Sequence, residues 1–535
     1  MKTIKYALLL ATLLFTTSIQ PMAQVGSKGL PYSDIANSYA KEAIMNLYNK
    51  NIMNGTSSSL FSPKEPVTRA QFMTTLIRLL NLEPVNSSIP AYSDVKKTAW
   101  YYGAVQASTD LGLTEGAGNG TFNPDQSVTR QEAATWIVRT LKQAAAEANG
   151  ASYTGYTDDK SISAWARSYV SIISKLGVME GSEGAFHPKQ ALTRQETAMI
   201  LNRLLQNDDF SAKLNQAYKP GIQIGWQYSQ TNEEFKASIL QSNVNILSPR
   251  WYFLDSSGSF SDHTDTSLVK WGNQNGKKIW ALFGNRSDQK ITHQLLSSSE
   301  KSSAMIARIK SAVVKNGLHG INLDFENVAP ADRNSLTAFV TKLANELHSV
   351  NAVLSVDVSP NLNSDWTEAF DYEALGKSAD YIVMMGYDEH WSGGLYPGSV
   401  ASLPWVENGL NTLIADVPGS KIILALPFYN RDWIVNSKGL SPSSEDITLS
   451  EQANRVANKN SAVKWDQKSG QYTFSYWKSS TQHKIWLEES RSLSLKYKMA
   501  LENNIAGFAY WSIGGETADI WTTLRNVAKY HAMGK

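Results

Sequence analysis

The chain has 535 residues, 42% hydrophobic and 18% charged, with a formal net charge of +2. That length exceeds what one core holds, so two or more domains are expected, and the composition is that of folded chains rather than disordered ones. The near-neutral balance leaves no electrostatic footprint for nucleic acid or an anionic membrane, and the absence of cysteine excludes disulfides, a cysteine nucleophile and a thiolate metal site.

At the N-terminus, Lys2 and Lys5 precede a short apolar run over 7–15, with a small-residue cleavage site after Ala23. Residues 1–23 are therefore expected to be an export signal, although Pro21 sits close to the cut. The apolar run falls far short of the roughly 20 residues that a membrane span needs. No other uninterrupted apolar segment is long enough, so the mature chain is expected to have no membrane span. Export without disulfides points to a Gram-positive bacterium.

From about residue 30 the chain repeats itself three times. Each copy opens on an aromatic and an acid: Tyr32-Ser33-Asp34, Tyr92-Ser93-Asp94 and Tyr156-Thr157-Asp158. Each passes a helical pattern to a glycine turn (Gly55, Gly116, Gly181), then Phe-x-Pro at Phe61/Pro63, Phe122/Pro124 and Phe186/Pro188. Thr68-Arg69, Thr129-Arg130 and Thr193-Arg194 then open a second amphipathic helix, with Gln71, Glu132 and Glu196 placed to complete capping boxes. So many marks at a near-constant period of about 60 residues are an internal repeat. The expected bounds are 30–90, 91–150 and 152–210.

These marks resemble S-layer homology repeats. The resemblance implies an all-α-rich unit of three copies about a pseudo-threefold axis. It also implies that Arg69, Arg130 and Arg194 contact anionic secondary cell-wall polysaccharide, since the planar guanidinium fork holds a carboxylate bidentately. The alternative is that each arginine bridges the two helices of its own repeat.

After a polar break at 206–209, a second domain is expected over 218–535. Its apolar strand candidates are 222–225, 244–253, 278–283, 320–326, 353–358, 381–385, 422–427 and 507–511, most of them separated by helical patterns. Eight such strands match a (β/α)8 TIM barrel, an α/β fold. Between the seventh and eighth, residues 463–465, 471–477 and 483–487 alternate as a small antiparallel patch, expected to wall a cleft. The fourth strand carries most of the chemistry. Ile321, Leu323 and Phe325 share one apolar face, and Asn322, Asp324 and Glu326 share the other. Leu336, Phe339, Val340, Leu343 and Leu347 follow as a crossover helix. Two acids on the lumen face of a barrel strand carry a large desolvation cost unless the site uses them. The 16 Trp and 23 Tyr offer flat amphipathic rings suited to sugars.

His319-Gly320-Ile321-Asn322-Leu323-Asp324-Phe325-Glu326 resembles D-G-x-D-x-D-x-E, the signature of glycoside hydrolase family 18. Met385, Tyr387 and Asp388 match its Met-x-Tyr-Asp, and Trp511 matches its eighth-strand Trp. Asn322, Tyr387-Asp388-Glu389-His390 and the run 427–433 look most like the family's bacterial cell-wall and spore branch. The resemblance implies Glu326 as the acid on the glycosidic oxygen, with Asp324 and Tyr387 holding the substrate's own 2-acetamido group as nucleophile. It implies Asp388, Trp511, Asn322, Met385 and Arg431 as substrate contacts, Asp388 alternatively pairing with Arg431. No metal or cofactor is implied. Asn322 is expected to hydrogen-bond Asp324 and let it stay ionised to lower pH. His319 and His390 are expected to be scaffold. Trp226, Trp251, Trp391 and Trp405 are each read as either sugar platform or core.

The expected function is an exported, wall-tethered peptidoglycan endo-β-N-acetylglucosaminidase. The alternatives are a surface chitinase or chitooligosaccharide hydrolase, a wall-bound lectin, or an S-layer subunit.

Overall fold

The computed structural model describes residues 30–142, 153–216, 218–255, 257–361, 365–441, 443–459 and 462–534. The export signal expected over 1–23 lies outside the described residues, as does 143–152, where the second repeat was expected to pass to the third.

Each repeat is a pair of helices: Lys41–Asn49 with Arg69–Leu79, Tyr102–Asp110 with Arg130–Thr140, and Arg167–Lys175 with Arg194–Gln206. Thr68, Thr129 and Thr193 start the second helices, each within a full capping box, and Gln71 serves in the first repeat as glutamate does in the others. The opening acids are structural. Asp94 accepts from the backbone N–H groups of Phe122 (2.8 Å) and Asn123 (2.7 Å), and Asp34 and Asp158 do the same in their repeats. The three copies close on themselves through a ring of backbone bonds. Val67 N–H donates to Leu192 (2.9 Å), Leu192 to Val128 (2.9 Å) and Val128 to Val67 (3.0 Å). That ring is the pseudo-threefold axis.

The polar run 206–209 is no linker. Asn207 ends one helix and its side chain accepts from Phe210 N–H (2.9 Å) to start the next, Asp208–Leu214.

Eight parallel strands then close a barrel in the order Ile222–Gln227, Ile246–Pro249, Lys278–Gly284, Gly320–Asp324, Val353–Val358, Tyr381–Met385, Ile422–Pro427 and Gly507–Trp511. The last pairs with the first. In the fourth unit Ile321, Leu323 and Phe325 face outward onto the helix Arg333–His348. That helix buries Leu336, Phe339, Val340, Leu343 and Leu347, and the rings of Phe325 and Phe339 stack at 5.9 Å. Each such side chain contributes about 1.5–3 kcal/mol on burial.

One strand differs from expectation. The run 244–253 makes two strands, Ile246–Pro249 and Tyr252–Leu254, with Arg250 and Trp251 in the break. Pro249 has no N–H for the ladder, so pairing stops there.

Between the seventh and eighth barrel strands stands a five-stranded antiparallel sheet, in the order Ser443–Thr448, Tyr429–Val435, Thr481–Leu487, Gln471–Lys478, Lys464–Asp466. Among the described residues no helix is long and apolar enough to cross a membrane.

Candidate active site

The lumen face of the fourth strand presents Asn322, Asp324 and, just past the strand end, Glu326 at the C-terminal mouth of the barrel. Asn322 is fully buried and makes four hydrogen bonds, none to Asp324. Its carbonyl oxygen accepts from Trp226 Nε1–H (2.7 Å) and Ser248 Oγ–H (3.3 Å). Its amide donates to Ser355 Oγ (3.1 Å) and to the carboxyl group of Asp357 (2.6 Å). The expected Asn322–Asp324 bond is therefore absent, because the neighbouring strand supplies a better acceptor. Asp357 is a third acid in the lumen that the strand-four reading missed. Its sequence signal was there: Ser355 and Asp357 alternate with Val and Leu on a strand expected to be apolar on both faces.

Asp324 is also not held in the low range. Burial pushes it up to about 6, partly offset by the Arg250 charge. Glu326 is pushed up to about 8 by burial and then by the charges of Asp324 and Asp388, against Arg250. Asp357 is raised well above the carboxylate range, by burial and then by Asp324. The environment thus separates one acid that keeps its proton at neutral pH from another that loses it, which is the division that acid catalysis beside a cation needs.

Asn285, at the end of the third strand, fixes the backbone of Glu326. Its amide donates to the Glu326 carbonyl (2.7 Å), and its carbonyl accepts from Glu326 N–H (3.0 Å). Tyr387 lies half-buried after the sixth strand, edge-on to Tyr429 at 6.0 Å, with Met385 half-buried at the strand's end. Burial and the surrounding acids push its hydroxyl well above the usual tyrosine range, so it remains a donor. Asp388, at a left-handed φ of 64°, is 49% exposed. It accepts from Tyr429 Oη–H (2.6 Å) and pairs with Arg431 (3.2 Å), which also pairs with Asp446. Trp511 ends the eighth strand, edge-on to Trp226 (5.8 Å) and tilted on Tyr228 (5.3 Å).

Of the four tryptophans read as sugar platform or core, Trp226 and Trp251 are buried, Trp405 is half-buried, and Trp391 is 57% exposed. His319 accepts from Ile279 N–H (3.2 Å), and His390 Nδ1 bonds the Ser399 carbonyl (2.9 Å), so both hold backbone in place.

The sequence profile of Glycosyl hydrolases family 18 matches residues 221–516, more than half of the chain and the whole of this barrel site. The chain belongs to glycoside hydrolase family 18. Three S-layer homology domains match at 31–73, 91–134 and 155–198, so a family 18 hydrolase is joined here to a module of cell-surface attachment. The chain is 25% identical over 325 residues to the uncharacterised glycosylase YvbX of Bacillus subtilis, covering 59% of this chain and 93% of that one. It is 29% identical over 277 residues to the cortical fragment-lytic enzyme of Bacillus cereus, covering 50% of this chain and 64% of that one. The solved spore cortex-lytic enzyme SleL of Bacillus cereus superposes with a TM-score of 0.54 at 23% identity, over 58% of this chain and 75% of that one, which shows the shared fold.

In the surface module of this family 18 hydrolase, each Thr-Arg arginine reaches into the next repeat rather than across its own. Nε of Arg69 donates to Phe122 O (2.7 Å), Arg130 to Phe186 O (2.8 Å) and Arg194 to Phe61 O (2.7 Å), each guanidinium lying over the same phenyl ring. Glu132 adds an ion pair to Arg69, and Arg194 also donates to Asn54 O (2.5 Å).

Proposed function

We propose that this chain is a wall-tethered endo-β-N-acetylglucosaminidase acting on the β-1,4 bond after N-acetylglucosamine in peptidoglycan, by substrate-assisted catalysis with retention. The observation that carries the reading is the pair Asp324 and Glu326 at the barrel mouth, with Glu326 the acid that keeps its proton at neutral pH. Glu326 gives that proton to the glycosidic oxygen as the bond to the anomeric carbon breaks. The acetamido oxygen of the same sugar attacks that carbon and closes an oxazolinium ring. Asp324 accepts the acetamido N–H and stabilises the positive ring, and Tyr387 donates its hydroxyl to the acetamido oxygen. Water, deprotonated by the Glu326 carboxylate, then opens the ring from the face that the leaving sugar vacated. Trp511 forms the floor, and Asp388, Met385, Asn322 and Arg431 shape or line the sugar site. The kinship with cortical fragment-lytic enzymes supports peptidoglycan as the substrate. Through the junctions around Arg69, Arg130 and Arg194, the surface module binds anionic secondary wall polysaccharide, in a Gram-positive cell.

The test is Glu326→Gln in the full chain. Turnover of purified peptidoglycan, read by mass spectrometry of the released reducing ends, should fall at least about a hundredfold. Co-sedimentation of the variant with cell walls should persist. Near-normal turnover would refute the catalytic assignment, and loss of sedimentation would refute a separate tether.

A further inference from the structure

Arg250 stands in the break after Pro249, at the mouth end of the second barrel strand, where the lost ladder hydrogen bond frees the backbone to turn. Its guanidinium is boxed by three rings, at 5.0 Å from Tyr228, 5.2 Å from Phe253 and 5.5 Å from Trp511. Rings hold an arginine in one orientation but leave its in-plane N–H groups unspent. Among the described residues no carboxylate forms an ion pair with it, and its buried Nε meets no hydrogen-bond acceptor. A buried donor left unmade costs free energy that a ligand recovers.

A second cation stands beside it. Arg286, exposed just past the third strand, lies 3.9 Å from the centre of the same Phe253 ring. Arg250 also lines a cavity of about 390 Å³ with Tyr228, Gln230, Trp251 and His263. The one acid in that lining, Asp265, is occupied as the N-cap of the helix Thr266–Gln274 and by Asn232. The opposite flank of the mouth differs, because there Arg431 is neutralised by Asp388 and Asp446. Among the described residues, the Arg250 flank of the cleft therefore carries positive charge that no ion pair neutralises, whereas the Arg431 flank does not.

We propose that Arg250, assisted by Arg286, binds a carboxylate on the muramyl unit next to the N-acetylglucosamine being cut, and so selects peptidoglycan over chitin. This rests on the reading of Asp324 and Glu326 as the reacting pair. Chitin is neutral and offers nothing to the guanidinium fork. A muramyl unit offers either a free lactyl carboxylate or, when a stem peptide is attached, a peptide carboxylate.

The experiment measures kcat and KM of the full chain, Arg250→Gln and Arg286→Gln on four substrates. These are chitotetraose, glycan strands stripped of peptide, the same strands methyl-esterified, and peptide-bearing strands. Arg250→Gln should lower kcat/KM on carboxylate-bearing strands at least about tenfold more than on chitotetraose, chiefly through KM. Arg286→Gln should act in the same direction, less strongly. Esterification should reproduce that loss in the unsubstituted chain and have no further effect on Arg250→Gln. A larger effect on stripped strands assigns the lactyl group, and a larger effect on peptide-bearing strands assigns the stem. Equal loss of kcat on all substrates with a shifted pH profile would mean that Arg250 only tunes Glu326, and would overturn the proposal. So would esterified strands cut as fast as free ones when Arg250→Gln also loses no more on peptide-bearing strands than on chitotetraose. Failure of the unsubstituted chain to cut any of the four would instead overturn the proposed function.

Discussion

At the scale of single residues, the decisive quantity is the cost of burying charge. Asp324 and Glu326 share a site that water reaches poorly, so both are held above the ordinary carboxylate range and titrate together. In the proposed mechanism the reactive form has Asp324 ionised and Glu326 protonated. That predicts a bell-shaped kcat/KM profile on an N-acetylglucosamine oligomer, with its acid limb near pH 6 and its alkaline limb near pH 8. Asp388 contributes to the upper limb, since a neighbouring negative charge favours the protonated acid. Asp388→Asn should therefore move the alkaline limb to lower pH. The shift should be modest because Asp388 is half exposed and screened. An alkaline limb that stays in place would show that Asp388 and Glu326 are electrostatically independent. Asn322 illustrates how one residue serves several strands: its four bonds tie the first, second, fourth and fifth strands across the lumen.

At the scale of elements, the repeats show why the sequence marks recur. The turn glycine in each copy lies under the opening tyrosine, where a side chain has no room. A Cβ on Gly116, at φ +78°, would collide with the Tyr92 ring and the Thr121 carbonyl oxygen. Gly112, one turn earlier at φ +72°, has open space around it. Alanine at Gly112 should cost only the left-handed backbone penalty of about 1–2 kcal/mol. Alanine at Gly116 should cost that and the collision besides. The check is chemical denaturation of each variant; equal losses at the two positions would show that the tyrosine contact is soft. The capping boxes act at the same scale, each about 1 kcal/mol, and set where the second helices begin.

At the scale of the whole molecule, the end of the first repeat and the second repeat dock on the last two helices of the barrel, Ser490–Glu502 and Ala518–Ala532. Arg525 holds Glu83 with two bonds of 2.9 Å, Asn526 pairs with the Glu83 backbone, and Tyr530 Oη–H donates to Arg139 O (2.5 Å). At the centre, Thr523 donates to the carboxyl group of Asp110 (2.9 Å), with Glu489 and Asp519 buried nearby. Burial raises all three, with Glu489 and Asp519 adding to it at Asp110 and Asp519 adding to it at Glu489, which goes to about 7. A carboxyl raised in the folded state is stabilising below its unfolded value near 4.5, and this stability is lost as pH rises through about 7. For Glu489 the loss is at most about 3 kcal/mol. The melting midpoint of the full chain should therefore fall between pH 5 and pH 8, and Glu489→Gln should flatten part of that fall. A variant with an unchanged slope would remove Glu489 from the linkage. Surface module and barrel thus share a buried seam.

The sequence by itself determined everything that rests on local period and spacing. Alternation on the fourth strand placed Asn322, Asp324 and Glu326 on one face, and the strand–helix rhythm specified the barrel. The recurring Thr-Arg and Phe-x-Pro marks specified three like repeats, because capping and turn chemistry act within a few residues of the chain. What depends on distant strands meeting was decided only in three dimensions. Asp357 enters the site from the neighbouring strand and takes the Asn322 amide that had been assigned to Asp324. Each Thr-Arg arginine finds its partner in the following repeat, across a junction that no spacing within one repeat reveals. Arg250 was hidden inside an apparently continuous strand until Pro249 broke it and Trp511, more than 250 residues further along, closed over its guanidinium. Desolvation set the acidities in the same way, since burial is a property of the packed barrel and not of any short segment of the chain.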